Sequence, residues 1–521
     1  MKIVSAREAA DLIHDGANVG LSAFGGWLGT DELYSAIRQQ YETQGHPRNL
    51  RIHGGILPGD LSRKPVGMNL LAKRGLISHV TAAHIGMAPA FAEMIDGQTL
   101  SATLLPLGVF VQLLRASAGK KPGVFSKIGL GTFCDPRVEG GSCRGDMKTG
   151  KNQMVDLITL NEQNYLFYKS FDLDFCLLRA SIADRDGNLS VEKEPIIADQ
   201  FEMASVVHNC GGIVIAQVSK IVDRGAIHPK DVAIHGSMVD YVVVAPDDHC
   251  APGYDCPDFR PELVGDAKVA LTSQAPHSID HRLICARRGA LELKAGSIVN
   301  LGIGIPAGIA AVAQVEGIAD DITLSVESGP LGGIPVSGVG FGASVNPQAM
   351  YTMANNFDFY DGGGLDIAFL GAAEIDKNGN VNVSQFNGRV IGPGGFINIS
   401  QSTRNVCFMG TFTADKLKTR VENGQLRIIN EGTSKKFVKQ VEQITFSAKT
   451  ALDSAQNVLY ITERAVFKLT AEGLMLTEIA PGMDIERDIL SQMDFLPIVS
   501  DDLREMDPRI FRQGLMGIAA P

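Results

Sequence analysis

Basic residues are in short supply: Lys and Arg number 47 against 58 Asp and Glu, a formal charge of −11. The deficit excludes the basic excess by which nucleic-acid and anionic-membrane binders attract their partners, so any anionic ligand has to be held locally, by loops and backbone amides. Cysteine is sparse as well, with 8 in 521 residues. Neither Cys134 with Cys143 nor Cys250 with Cys256 makes a CxxC pair or a metal-ligand spacing with nearby histidines. That pattern gives no metal site and predicts ordinary thiols of a reduced compartment. A long, uninterrupted hydrophobic run is missing too. Residues 298–315 are uncharged, but glycines and Pro306 divide them into strand, turn and buried helix, which argues against a membrane span. The N-terminus, Met1-Lys2-Ile3-Val4-Ser5-Ala6-Arg7-Glu8, reaches charge at once and does not read as an apolar leader, so the protein is expected to be cytoplasmic.

What is present is a globular composition, 45% hydrophobic and 20% charged, in a chain long enough for two or three domains. It also contains its own repeat. The run Asp15-Gly16-Ala17-Asn18-Val19-Gly20-Leu21-Ser22-Ala23-Phe24 resembles Ala295-Gly296-Ser297-Ile298-Val299-Asn300-Leu301-Gly302-Ile303-Gly304. Further on, Asp174 to Ala180 with Asp184 and Gly187-Asn188 matches Asp366 to Ala372 with Asp376 and Gly379-Asn380, at identical spacing. The first pair is offset by 280 positions and the second by 192, so the first half is the enlarged one. Strand-like runs such as Ile213 to Val218, Tyr241 to Val244 and Ile322 to Val326 alternate with helical stretches. This predicts an α/β protein with two related open sheets, mostly parallel. The join is expected at 275/276, among Pro252, Pro257, Pro261 and Pro276, with Leu283 to Leu293 already helical. The two domains are then 1–275 and 276–521.

In open α/β sheets ligands bind at the carboxyl ends of strands, so glycine-rich loops directly after strands are the places to search. Three stand out. Asn300-Leu301-Gly302-Ile303-Gly304-Ile305-Pro306 lets the backbone approach a ligand, yet it is no dinucleotide fingerprint, because the third glycine falls at Gly308, one position too late. Leu324-Ser325-Val326-Glu327-Ser328-Gly329-Pro330 delivers a carboxylate from an apolar strand into a Gly-Pro turn. Ile391-Gly392-Pro393-Gly394-Gly395-Phe396 can aim backbone N–H groups at an oxyanion or simply make a tight turn. Taken alone, a carboxylate such as Glu327 reads first as a solvated loop acid or a helix cap.

Together these segments resemble the family I coenzyme A transferases, and the resemblance to the single-chain acetate/propionate and 3-ketoacid type covers nearly the whole chain. Asn300 to Pro306 is similar to the family's NLGIGIP segment, Ser325 to Gly329 to its catalytic Glu-x-Gly turn, and Gly392 to Phe396 to its oxyanion loop. Phe357 to Asp366 and Gly131-Thr132-Phe133-Cys134-Asp135-Pro136-Arg137 are similar to other stretches of that type. The resemblance implies ping-pong transfer of CoA from an acyl-CoA to a small carboxylic acid through a glutamyl-CoA thioester on Glu327, in the C-terminal domain. It further implies oxyanion donors at Gly394, Gly395 and Phe396, and the CoA thiol arm near Gly302, Ile303, Gly304, Ile305 and Pro306, with Asn382 either a polar contact there or merely a strand-end asparagine. CoA would be a substrate, with no metal or permanently bound cofactor, and the active form would be a homodimer or homotetramer.

One position departs from the pattern. The N-terminal half of the family offers a Pro-Gln-Gly turn; here it reads Leu105-Pro106-Leu107-Gly108-Val109, and Leu107 has no side-chain donor. Leu107 and Gly108, with Gly25, Gly26 and Trp27 at the counterpart of the Gly304 loop, are candidates for the acyl-side wall, with core packing an equal reading for Trp27. The departure keeps two alternatives in view: a hydrolase of a CoA thioester, or of a carbon–carbon bond in a CoA ester, using Glu327 as general base, and a silent CoA-binding protein. His53, His79, His84 and His235 lack ligand spacing, and Arg63-Lys64 and Arg287-Arg288 read as solvated charge.

Overall fold

The computed structural model describes residues 1–143, 153–246, 249, 251–271 and 278–518. Two twisted sheets carry the chain. In the first, the strands run in the order Lys2–Ile3, Tyr241–Val244, Ile213–Val218, Phe175–Arg179, Asn18–Phe24, Leu50–Ile56, Ile77–His84, Ser101–Leu104 and Ser142–Cys143. Every pairing is parallel until the antiparallel last strand. In the second sheet the parallel centre is Thr323–Ser325, Ile298–Leu301, Ile367–Gly371, Asn405–Met409 and Asn457–Ile461, flanked on both sides by antiparallel strands, with the last strand, Ile498–Glu505, parallel to its neighbour. The first sheet draws on residues up to Val244 and the second on residues from Ile298 onward; the expected division at 275/276, with Pro276, lies outside the described residues, as does Cys250. Helix formation begins a little before the predicted start, at His281–Ala290, because the Asp280 carboxylate accepts the Leu283 N–H at 2.9 Å and caps it.

The repeat is structural down to single hydrogen bonds. Phe175 pairs with Val19 in the first sheet as Ile367 pairs with Val299 in the second. Asp174 Oδ2 accepts the Asn18 N–H at 2.8 Å, and Asp366 Oδ2 accepts the Ile298 N–H at 2.8 Å. Asp184 takes the Asn188 N–H at 3.0 Å just as Asp376 takes that of Asn380 at 3.0 Å.

One apolar core spans both halves. Trp27, Leu107 and Phe110 from the first pack with Met353, Phe357 and Phe396 from the second, all buried. Continuous apolar burial makes the seam part of the fold. The Gly131 to Arg137 segment joins it as well: Phe133 N–H donates to the Ile444 carbonyl at 2.8 Å, and Thr450 donates to the Leu130 carbonyl at 3.1 Å.

Candidate active site

Strand Thr323–Ser325 sends Leu324 into the core, Val326 follows it, and the chain then turns through Glu327, Ser328 and Gly329. Gly329 takes φ 128°, and a Cβ there would stand 2.0 Å from the Tyr351 carbonyl oxygen, so the turn requires glycine. The turn is fastened from several sides. Val326 N–H donates to Pro330 O at 3.0 Å, the Ser328 hydroxyl donates to the Gly342 carbonyl, and Asn356 Nδ2 donates to the carbonyls of Val326 and Glu327 at 3.0 and 3.1 Å. Beneath it the Tyr360 and Ser325 hydroxyls bond each other, and Asn300 Nδ2 reaches the Ser325 carbonyl at 3.2 Å.

The Glu327 side chain is 8% exposed. Burial pushes its carboxyl up to about 7, a rise partly offset by the Gly395 N–H that donates to it. The approach is close: a Cβ on Gly395 would lie 2.0 Å from Glu327 Oε2. The Gly392 to Phe396 loop therefore meets Glu327, but its three candidate amides are not equivalent. Gly394 N–H donates across the seam to Ala83 O at 3.0 Å, and Phe396 N–H to Pro393 O at 3.0 Å. Of the three candidate amides only that of Gly395 turns to the carboxylate in this structure, and the other two hold the loop's shape.

The loop is stitched to the first half. Ile85 N–H donates to Ile391 O at 2.8 Å, Leu107 N–H to Gly394 O at 3.0 Å, and Gly108 N–H to Asn398 Oδ1 at 3.0 Å. This gives Leu107 a role that survives the loss of a glutamine side chain: its backbone amide holds the glycine loop while its side chain fills the seam. The Leu107 and Trp27 side chains, candidates for the acyl wall, both lie in the apolar core at the seam, for Trp27 the other reading the sequence allowed. Trp27 is 1% exposed, and its Nε1–H donates to the carbonyls of Gly340 and Phe341 at 3.1 and 3.2 Å. A Cβ on Gly26 would strike Val339 O at 2.2 Å, and one on Gly108 would strike Asn398 at 2.4 Å, so both glycines permit close packing. Gly25, at φ 58°, lets the chain turn above Met87.

The Gly302 to Pro306 loop leaves the strand beside Glu327, since Asn300 pairs with Ser325. Gly302 N–H bonds Phe369 O at 2.8 Å, and Pro306 is buried two residues ahead of helix Gly308–Glu316. Between them the loop is open. Ile303 is 59% exposed, Gly304 has nothing near its missing Cβ, and Gly304 and Ile305 line a cavity of about 330 Å³.

Asn382 stands as a brace, the strand-end reading of the two the sequence allowed. Its Nδ2 donates to Glu374 at 2.7 Å and to the Gln385 carbonyl at 2.6 Å, while its Oδ1 accepts Ser384 N–H at 3.1 Å. The Ser384 carbonyl in turn takes the N–H groups of Ile391 and Gly392. Asn356 and Tyr360 escape sequence reasoning because a helical Asn or Tyr carries no local signal; the helix Met353–Asp361 shows its role only once packed on the turn. Arg287 and Arg288 are also buried, donating to the carbonyls of Ile510, Arg512 and Gly514 and to Glu478 and Glu292, in place of the expected solvated face. His53 stacks on Phe171 and burial lowers its ring to about 3; His84, beside the glycine loop, is lowered to about 4 by the same cause. No three His, Cys, Asp or Glu side chains converge as a metal site among the described residues, and no described helix is long and apolar enough to cross a membrane.

The family model for coenzyme A transferase matches residues 3–245, and full-length relatives extend the likeness through the second half. The chain belongs to the coenzyme A transferase family and is an enzyme of that kind. It is 43% identical to caffeate CoA-transferase of Acetobacterium woodii, across 99% of this chain and 98% of the relative. It is 42% identical to acetate CoA-transferase YdiF of Escherichia coli K12, across 100% of this chain and 97% of the relative. Among solved structures, the acyl-CoA transferase YdiF of Escherichia coli O157:H7 as apoenzyme superposes with TM-score 0.94 at 41% identity, covering 100% and 98% of the two chains. The same enzyme as a thioester complex with CoA superposes with TM-score 0.93 at 40% identity.

Proposed function

We propose that this chain transfers CoA from an acyl-CoA to a short-chain carboxylic acid by a ping-pong route on Glu327. The observation that carries the reading is a single carboxylate, buried in a glycine turn and held by one backbone N–H at the carboxyl end of a parallel strand. A carboxylate suits the task because its anhydride and its thioester lie close in energy to the substrate thioester. Glu327 attacks the acyl-CoA carbonyl, the C–S bond breaks, and an acyl-glutamyl anhydride forms with release of CoA thiolate. The thiolate attacks the glutamyl carbonyl and expels the first carboxylate, leaving glutamyl-CoA. A second carboxylate then reverses both steps, restoring Glu327 and yielding the new acyl-CoA. The Gly395 N–H, already on the carboxylate, is the donor best placed for the oxyanion of each tetrahedral intermediate. Poor solvation of Glu327 favours its reaction as a nucleophile. The open Gly302 to Pro306 loop, one strand away, is our candidate for the CoA thiol arm.

The relatives' names cover an aromatic acid, caffeate, and a small one, acetate. We assign this chain to the small acids, with CoA as a substrate, no bound metal or organic cofactor, a cytoplasmic setting and a homo-oligomeric form. The test is the intact mass of wild type and Glu327→Gln after incubation with acetyl-CoA or propionyl-CoA. Wild type should gain one CoA and return it as new acyl-CoA on adding propionate or acetate; Glu327→Gln should gain none. Hydrolysis of the thioester without an adduct would overturn transfer and leave Glu327 as a general base for water.

A further inference from the structure

Asp361 ends the helix Met353–Asp361 that lays Asn356 across the Glu327 turn, and its carboxylate meets three other side chains. Asn398 Nδ2 donates to its Oδ1 at 2.9 Å and to its Oδ2 at 3.1 Å, Gln112 Nε2 donates to Oδ2 at 2.9 Å, and the Ser402 hydroxyl donates to Oδ1 at 3.4 Å. Each of these partners is a donor, the set that an ionised, acceptor-only carboxylate requires. They come from two helices, Leu107–Ala118 of the first half and Phe396–Ser402 of the second. Burial raises the carboxyl to about 6 and the bonds from Asn398, Gln112 and Ser402 pull it back, so it is ionised at about pH 8.

The far side of Asn398 faces the reaction. Its Oδ1 accepts the Gly108 N–H at 3.0 Å, and the neighbouring Leu107 N–H donates to the Gly394 carbonyl at 3.0 Å, one residue before the amide that meets Glu327. A backbone N–H only donates, so an asparagine that serves Gly108 has to present its oxygen there and its NH2 group on the opposite side. Asp361 receives that NH2 group on both oxygens and so holds the Asn398 amide in one of its two orientations. We propose that Asp361 is a positioning residue for the CoA chemistry: it orients the Asn398 amide, which ties the start of helix Leu107–Ala118 to the glycine loop and so sets where the Gly395 N–H stands relative to Glu327. The inference rests on Glu327 as the reacting group. Asp358, on the same helix, offers a control, since it is half exposed and bonds Gln112 at 3.1 Å and Arg115 at 2.6 Å at the surface.

Asp361→Asn makes the test, because it keeps the shape and places an NH2 group against that of Asn398, which faces both carboxylate oxygens. Loss of the acetyl-CoA thioester is followed in the full chain with saturating propionate at about pH 8, and intact mass is read alongside. The kcat of Asp361→Asn should fall about tenfold or more while KM for acetyl-CoA stays as in wild type, since what moves is the reacting geometry and not the ligand's hold. Asn398→Asp alone sets two carboxylates face to face and should be about as slow. The exchange Asp361→Asn/Asn398→Asp pairs donor with acceptor again and still offers an oxygen to Gly108, so it should recover to within about threefold of wild type. Asp358→Asn should stay within about twofold. Where a single variant folds poorly, the exchange variant decides by its rate alone. Thioester loss without a CoA adduct would count against transfer through Glu327 and leave the same rates to decide for or against Asp361. A wild-type kcat in Asp361→Asn, a KM that rises in step with the fall in kcat, or an exchange variant no faster than the two single variants would each overturn the proposal.

Discussion

The strands Asn18–Phe24 and Ile298–Leu301 occupy the same place in the two halves, start from the same aspartate-held amide, and end in opposite circumstances. After the first, the chain runs into Gly25, Gly26 and Trp27, sealed under the turn at Gly340 and Phe341. After the second, it ends in a loop whose Ile303 is 59% exposed and whose Gly304 faces open space. Duplication supplied one scaffold twice. Burial then separated the tasks, closing one loop to make the seam and leaving the other accessible beside Glu327.

The sharpest way to test that separation is at the contact between the glycine loop and the nucleophile. Gly395→Ala places a methyl 2.0 Å from Glu327 Oε2, so kcat should fall about a hundredfold or more, with near-native melting if the loop yields locally. Single-turnover adduct formation checks this, and an active Gly395→Ala would show that the close approach of this backbone to the carboxylate is not required. Next in size is Trp27→Ala. If the closed loop is structural, unfolding free energy should drop by about 3–5 kcal/mol, while adduct formation below the melting temperature is retained. Loss of acyl selectivity without loss of stability would return Trp27 to the substrate.

The third effect concerns the ionisation of Glu327. Its carboxyl is raised from the ordinary 4.5 to about 7, so the folded state favours the proton. The stability this gives is present below about 4.5 and is lost as pH rises through about 7. Glu327→Gln should therefore match wild type near pH 4.5 and exceed it by up to about 3 kcal/mol near pH 8, in denaturant titrations. Adduct formation by wild type should rise across the same interval, because the carboxylate is the nucleophile. The smallest effect is expected at the open loop. Ile303→Ser should change stability by no more than about 0.5 kcal/mol, whereas KM for the acyl-CoA should rise about threefold. An unchanged KM would move the thiol arm elsewhere.

Much of this was legible from residues alone, for a physical reason. The glycine-rich loops after apolar strands were legible locally as places to search, whereas it was the resemblance of several segments to the CoA transferases that singled out Glu327. The repeat was legible because hydrogen-bonding aspartates at fixed spacing recur in both halves. What escaped depends on where distant segments meet. Asn356 is an ordinary helical residue until its helix lies across the turn. The amides of Gly394 and Phe396 looked equivalent to that of Gly395 until Ala83 and Pro393 were found to hold them. Leu107 looked like a defect because its side chain was read, whereas its contribution is its backbone N–H to Gly394.

That last bond, with those from Ile85 to Ile391 and from Gly394 to Ala83, means neither half owns the shape of the loop that faces Glu327. A covalent connection then acts as a supply of effective concentration, keeping the second partner at hand however dilute the protein becomes. Made as two separate polypeptides, the same residues would have an activity that fades on dilution, since the geometry around the nucleophile would exist only for as long as the two pieces stay together.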